Sequence, residues 1–145
     1  MAGIGAHMIN HHKECDEMFA RAEEAAGGGD WARAQGEFEA FAQEMERHFD
    51  VEDNVLFPAF DKKTGHVGGP TQVMRMEHNQ MRVVMHEMRS AVEAKDAEQY
   101  LGLSETFLVI MQQHNFKEEG ILYSMMDQVL GDEAAKLLAQ VESVA

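Results

Sequence analysis

Six residues in this chain have side chains suited to metal chemistry and recur at a fixed spacing. His12 lies 66 residues before His78, His48 lies 66 before His114, and Glu52 lies 66 before Glu118. The same shift superposes Asp30 on Asp96, Gly36 on Gly102, Phe41 on Phe107, Met45 on Met111 and Leu56 on Leu122. The repeated unit is thus one histidine, an acid placed to cap a helix, and a His-x-x-x-Glu pair. Four imidazoles and two carboxylates related in this way predict one two-metal site, half of it from each copy. Imidazole combined with bridging carboxylate suits iron, and to a lesser extent manganese or zinc. Tetrahedral zinc would support no oxygen chemistry.

The elements that must carry these residues are helices. The chain has 145 residues, only two prolines and one cysteine, which reads as a single all-α domain spanning 1–145. Gly27 to Gly29 ends a first helix, and Asp30 caps a second that runs to about Asp61. Lys62 to Gly69 reads as a loop, and Pro70 suits the first turn of a third helix ending near Lys95. Asp96 caps a fourth helix that continues to about Gln128, and Gly131 and Asp132 start a short C-terminal helix of about 132–143. Tight connections between amphipathic helices predict an up-down-up-down four-helix bundle over about 5–128, built by duplication of a helix hairpin.

On each helix the ligand-type residue falls on the apolar stripe. The stripes read Met8, His12, Cys15, Phe19; Phe41, Met45, His48, Glu52, Leu56; Met74, His78, Met81, Met85, Met88; and Phe107, Met111, His114, Glu118, Leu122. His48 and His114 each lie 18 residues after their capping acid, and His12 and His78 lie about as far before the corresponding turns. At about 1.5 Å per residue all four reach nearly one height. Unpaired buried imidazoles and carboxylates are costly, so the six need one another or an ion. His12 is chosen over His11 because the repeat and the Met8 to Phe19 stripe both select it, and Glu118 over Glu119 because the repeat selects it. Asp53 and Glu77 are candidates to accept a ligand histidine's N–H, or else surface charges. His7, His66 and His86 have no partner in the repeat, and His66 and His86 are read as solvated. Cys15 and the twelve methionines are read as core filling, with sulfur oxidation as the alternative role, and Tyr123, which matches Phe57, as packing.

Composition excludes other classes. A formal net charge of −14 argues against a nucleic-acid partner. No apolar run approaches the ~20 residues needed to span a bilayer, so no membrane partner is expected. No signal-peptide pattern precedes the first helix, and a single cysteine forms no internal disulfide, so the expected location is the cytoplasm.

The segments HFDVEDNVLFPAF (48–60), MEHNQM (76–81) and HNFKEEGILY (114–123) resemble the hemerythrin-like, or HHE cation-binding, family over roughly residues 5–128. The resemblance implies a four-helix bundle with a non-haem di-iron centre, two Fe ions joined by an oxo or hydroxo bridge, ligated by His12, His48, Glu52, His78, His114 and Glu118. The Glu-x-x-His pattern of ferritin-like bundles is absent, since Ile9, Met45, Arg75 and Met111 stand three residues before the histidines. The oxygen carriers of the family have a histidine where this chain has Arg82, and their last carboxylate would fall on Glu119. The four-His, two-Glu set is closer to the iron-repair and nitric-oxide-response branch. The expected function is binding or sensing of O2 or NO. Two other readings stand beside it: a di-iron enzyme acting on peroxide or NO or donating iron for cluster repair, and a binding module with a structural metal. Repeated turnover would mark the enzyme, and a colourless zinc protein the module.

Overall fold

The computed structural model describes residues 3–65 and 69–143, and all its regular elements are helical. Among the described residues seven α-helices follow one another: α1 (Ile4–Gly27), α2 (Trp31–Val51), α3 (Phe57–Thr64), α4 (Pro70–Glu93), α5 (Ala97–Lys117), α6 (Tyr123–Leu130) and α7 (Ala134–Ser143). Helix α2 runs into α3 through a π-helical turn at Glu52–Leu56, and α5 runs into α6 through another at Glu118–Leu122. The chain therefore forms four long helical rods and a short terminal helix. No described helix is long and apolar enough to cross a membrane.

Local chemistry sets the ends. The Asp30 carboxylate accepts the backbone N–H of Arg33 at 3.2 Å, and Asp96 accepts that of Gln99 at 3.0 Å, each satisfying a donor that the first turn leaves open. In the tight turns before these caps, Gly29 has φ +74° and Lys95, at the same place in the repeat, has φ +54°. Gly65, also at φ +74°, ends α3. The last rod extends to Leu130, and a 3-10 turn at Gly131–Glu133 leads into α7, two residues later than the glycine at 131 and the acid at 132 predict.

The core is divided. One apolar cluster contains Phe19, Phe38, Phe41, Phe49, Met81, Met85, Met88, Phe107 and Met111. The other contains Ile4, Met8, Leu56, Phe57, Phe60, Met74, Leu122, Tyr123 and Met126. Along α1 and α4 the residues pass from the second cluster to the first, and along α2 and α5 in the reverse order. His12, His48, Glu52, His78, His114 and Glu118 lie between the clusters on every rod, in a buried polar layer.

The two π turns depart from the uninterrupted α-helices that the stripes predict. Each turn closes with an i→i+5 bond, Phe57 N–H to the Glu52 carbonyl and Tyr123 N–H to the Glu118 carbonyl. Pro58 is not their cause, because Ser124 holds that place in the second turn. Residues five apart diverge by about 140° in an α-helix. The wider turn brings them onto one face, and such turns often mark functional sites. Here it places Tyr123 over Glu118 and Phe57 against the His78 ring.

Candidate metal centre

All six sequence-selected residues meet in this layer, each at most 4% exposed. His12 comes from α1, His48 from the last turn of α2, His78 from α4 and His114 from the last turn of α5; Glu52 and Glu118 open the π turns. Glu52 Oε1 lies 3.3 Å from His48 Nε2 and 3.0 Å from His78 Nε2. Glu118 Oε1 lies 3.1 Å from His12 Nε2 and 3.2 Å from His114 Nε2. Each carboxylate thus spans the two halves of the layer. Ligand atoms of His12, His48 and Glu118 group on one side, and those of Glu52, His78, His114 and Glu118 on the other, with every atom of a group within 4.8 Å of the rest.

The four imidazoles present Nε2 inward, and Nδ1 of each meets a polar partner. His12 Nδ1–H donates to Glu119 Oε2 at 2.7 Å, His78 to Asp53 Oδ1 at 2.9 Å, and His114 to Glu77 Oε1 at 2.9 Å. His48 Nδ1 faces His11 Nδ1 at 2.9 Å, and His11 Nε2 reaches Glu44 Oε1 at 2.8 Å. These bonds occupy Nδ1 of each ring and leave Nε2 as the atom that faces the centre, where loss of its proton gives the lone pair that metal-binding histidines need. The partners obey the repeat themselves: Asp53 matches Glu119, and His11 matches Glu77.

Asp53 and Glu77 are therefore in contact with the layer rather than free surface charges. Glu119 and His11, set aside as rivals of Glu118 and His12, have places of their own one contact further out. Arg82 pairs with Glu46 at 3.1 Å and reaches Asp53 at 3.5 Å, lying over the Phe49 ring. Met74 and Cys15 are buried in the apolar clusters, His86 is exposed and His7 half-buried. His66 lies outside the described residues.

Tyr123 corrects its reading as packing alone. Its hydroxyl donates to Glu52 Oε2 at 2.7 Å and lies 3.0 Å from Glu118 Oε1 and 3.1 Å from His12 Nε2. The signal was present as the one place where the repeat exchanges a phenyl ring for a phenol next to the stripe, but α-helical spacing turns that position away from Glu118.

The electrostatics are those of a site that holds positive charge. Burial works to lower the pKa of His48, but Glu52 and Glu118 outweigh it and raise the value to about 10. Burial likewise opposes His78, which Asp53 and Glu52 raise to about 9, and His114, which Glu118 raises. Against its own burial, the Glu118 carboxyl is held well below its usual range by Glu52 and the surrounding histidines. Burial and the two carboxylates keep the Tyr123 phenol protonated far above its usual range, a preference that a bound cation would reverse.

The donor set fits a metal. Glu52 Oε1, His78 Nε2, His114 Nε2 and Glu118 Oε2 are buried without a hydrogen-bond partner. They lie at contact distance from polar neighbours, His78 Nε2 3.0 Å from Glu52 Oε1 and His114 Nε2 3.2 Å from Glu118 Oε1, but out of hydrogen-bond alignment; buried polar atoms so poorly satisfied are expensive, and a cation among them would satisfy them together. Searches of curated proteins and of solved structures return no match. The family model for the hemerythrin HHE cation binding domain, by contrast, matches residues 4–126, and the chain belongs to that family.

Proposed function

We propose that this chain holds two iron ions, one between His12 and His48 and one between His78 and His114, bridged by Glu52 and Glu118, and that it binds or senses O2 or NO. The observation that carries this reading is the set of partnerless buried atoms of Glu52, His78, His114 and Glu118 facing the matching set of His12, His48 and Glu118. Iron supplies a redox-active Lewis acid to which a diatomic ligand can coordinate.

The protein's contribution is position and exclusion. Asp53, Glu77 and Glu119 orient three imidazoles, and His11 orients the fourth. Phe49 stacks on His78 with ring centroids 4.3 Å apart, and Phe57 lies parallel to it at 5.8 Å. With the ligand set at most 4% exposed, the site suits a very small ligand better than a bulky substrate.

The test is metal content per chain after loading with ferrous iron under anaerobic conditions, followed by optical spectra on addition of NO or O2. Two irons and a stable adduct reversed by removal of the gas support the proposal. One silent zinc, or continuous consumption of the gas, removes it.

A further inference from the structure

Tyr123 has no equivalent among the six residues of the repeat. Its hydroxyl faces three acceptor atoms, Glu52 Oε2, Glu118 Oε1 and His12 Nε2, at 2.7, 3.0 and 3.1 Å. Glu119 meets Nδ1 of His12 on its outer side, so Nε2 is the ring atom that faces the hydroxyl. A phenol has one hydrogen to give and can satisfy one acceptor of the three. An oxygen converging with several lone pairs in a buried space is the pattern of a coordination sphere.

The distances place that oxygen on the sphere rather than at its centre. Metal–ligand bonds of about 2.1 Å in octahedral geometry separate neighbouring ligand atoms by about 3 Å. His12 Nε2 and His48 Nε2 are 3.1 Å apart, His12 Nε2 and Glu118 Oε1 3.1 Å, and His48 Nε2 and Glu52 Oε1 3.3 Å. The phenolic oxygen keeps the same spacing from its neighbours. The backbone is arranged for it: the π turn brings Tyr123 over Glu118, and Gly5 on α1 lets α6 approach. A Cβ at Gly5 would lie 2.7 Å from Asp127 Oδ2 and 3.2 Å from Tyr123 Cβ.

We propose that Tyr123 is a further protein ligand of this centre, bound through its phenolate oxygen to the iron that His12 and His48 hold. The proposal rests on the two-iron reading above. On binding, the O–H bond breaks with its electron pair kept by oxygen, and the proton leaves to solvent with the others that metal uptake displaces. Phe57, at the related position, has no donor atom, so the iron between His78 and His114 gains no such ligand. The two metals of a nearly symmetric site are thereby made different.

The experiment uses the full chain loaded with iron and oxidised to the ferric state. Tyrosinate coordination gives a visible phenolate-to-iron charge-transfer band, and resonance Raman spectra excited within it show tyrosinate ring modes. The chain has two tyrosines. Tyr100→Phe, altering a residue of the other apolar cluster, is expected to keep both signals. Tyr123→Phe is expected to lose both while retaining two irons, since Phe57 shows that a phenyl ring fits such a position. Two irons in the unaltered chain without tyrosinate modes would overturn this proposal alone. A chain that takes up no iron would overturn the two-iron reading and this proposal with it.

Discussion

His11 Nδ1 lies 2.9 Å from His48 Nδ1, in the place that the Glu77 carboxylate holds beside His114. Three ligand-type histidines thus donate to carboxylates and the fourth meets another imidazole, whose far nitrogen reaches Glu44. Removing such an orienting partner commonly lowers metal affinity by about 10- to 100-fold. His11→Ala and Asp53→Ala are each expected to fall in that range in a competition titration with a chelator. Glu87→Ala, at an exposed position, should bind as the unaltered chain does. Unchanged affinity in both site variants would remove the orienting role.

The four proposed ligand histidines should matter more than their partners. His48→Ala and His114→Ala each remove one of the four imidazoles whose Nε2 faces the centre. Each variant should lose at least about half of its metal by elemental analysis, whereas His86→Ala, exposed on α4, should keep all of it. Equal retention in the three would refute the site.

Protons compete with metal in this layer. His48 and His78 have pKa values raised from 6.5 to about 10 and about 9, so both are charged at neutral pH in the metal-free chain. Metal binding requires their Nε2 lone pairs and must displace those protons. Apparent metal affinity should therefore rise with pH from about 6.5 to about 10, with proton release visible in calorimetry across buffers of different ionisation heat. The sign for folding is opposite. The raised values stabilise the metal-free fold fully below pH 6.5, and that contribution is lost as pH rises through 9 to 10. Stability of the metal-free chain that is flat from pH 7 to 10 would contradict this.

Cys15 is 2% exposed, and burial, reinforced by Glu44, Asp16 and Glu14, pushes its thiol up to about 12. The reactive species is the thiolate, which is scarce at such a value. A thiol reagent at pH 8 should label the folded chain far more slowly than the chain in denaturant. Equal rates would place Cys15 in an accessible site.

Lys95 occupies the left-handed region at φ +54°, where the repeat has Gly29 at φ +74° in the first turn. A side chain in that conformation costs on the order of 1 kcal/mol. Lys95→Gly is expected to stabilise the fold by about 0.5–1 kcal/mol in urea denaturation, net of glycine's freedom in the unfolded chain. A loss of stability would mean that the lysine side chain contributes more than the backbone strain removes.

Much of the site was legible because helical periodicity and internal repetition are linear signals. Asp30 and Asp96 mark helix starts through a local side-chain bond, and the stripes through His48 and His114 follow from 3.6 residues per turn. The choice of Glu118 over Glu119 rested on the repeat, and that of His12 over His11 on the repeat and the Met8 to Phe19 stripe, and both pairs meet at the layer: one member inside it and the other behind it. Applied once more, the same offset would have joined Asp53 to Glu119 as partners of His78 and His12. Tyr123 was misread because α-helical spacing carries a residue five places after Glu118 off the face, and nothing in the local sequence announces the wider turn.

By itself the sequence determined the helices, the apolar stripe of each and the six donor-type residues that lie on those stripes, because these depend on local caps and on which side chains water rejects. Only the tertiary structure decided which nitrogen of each imidazole points inward, that Arg82 serves Asp53 rather than the centre, and that a phenol reaches Glu52, Glu118 and His12. Those outcomes depend on side chains from different rods meeting within about 3 Å, and on the closing of each rod's π turn. Contacts of that kind join residues as far apart as His12 and Tyr123, and only the packed fold brings them together.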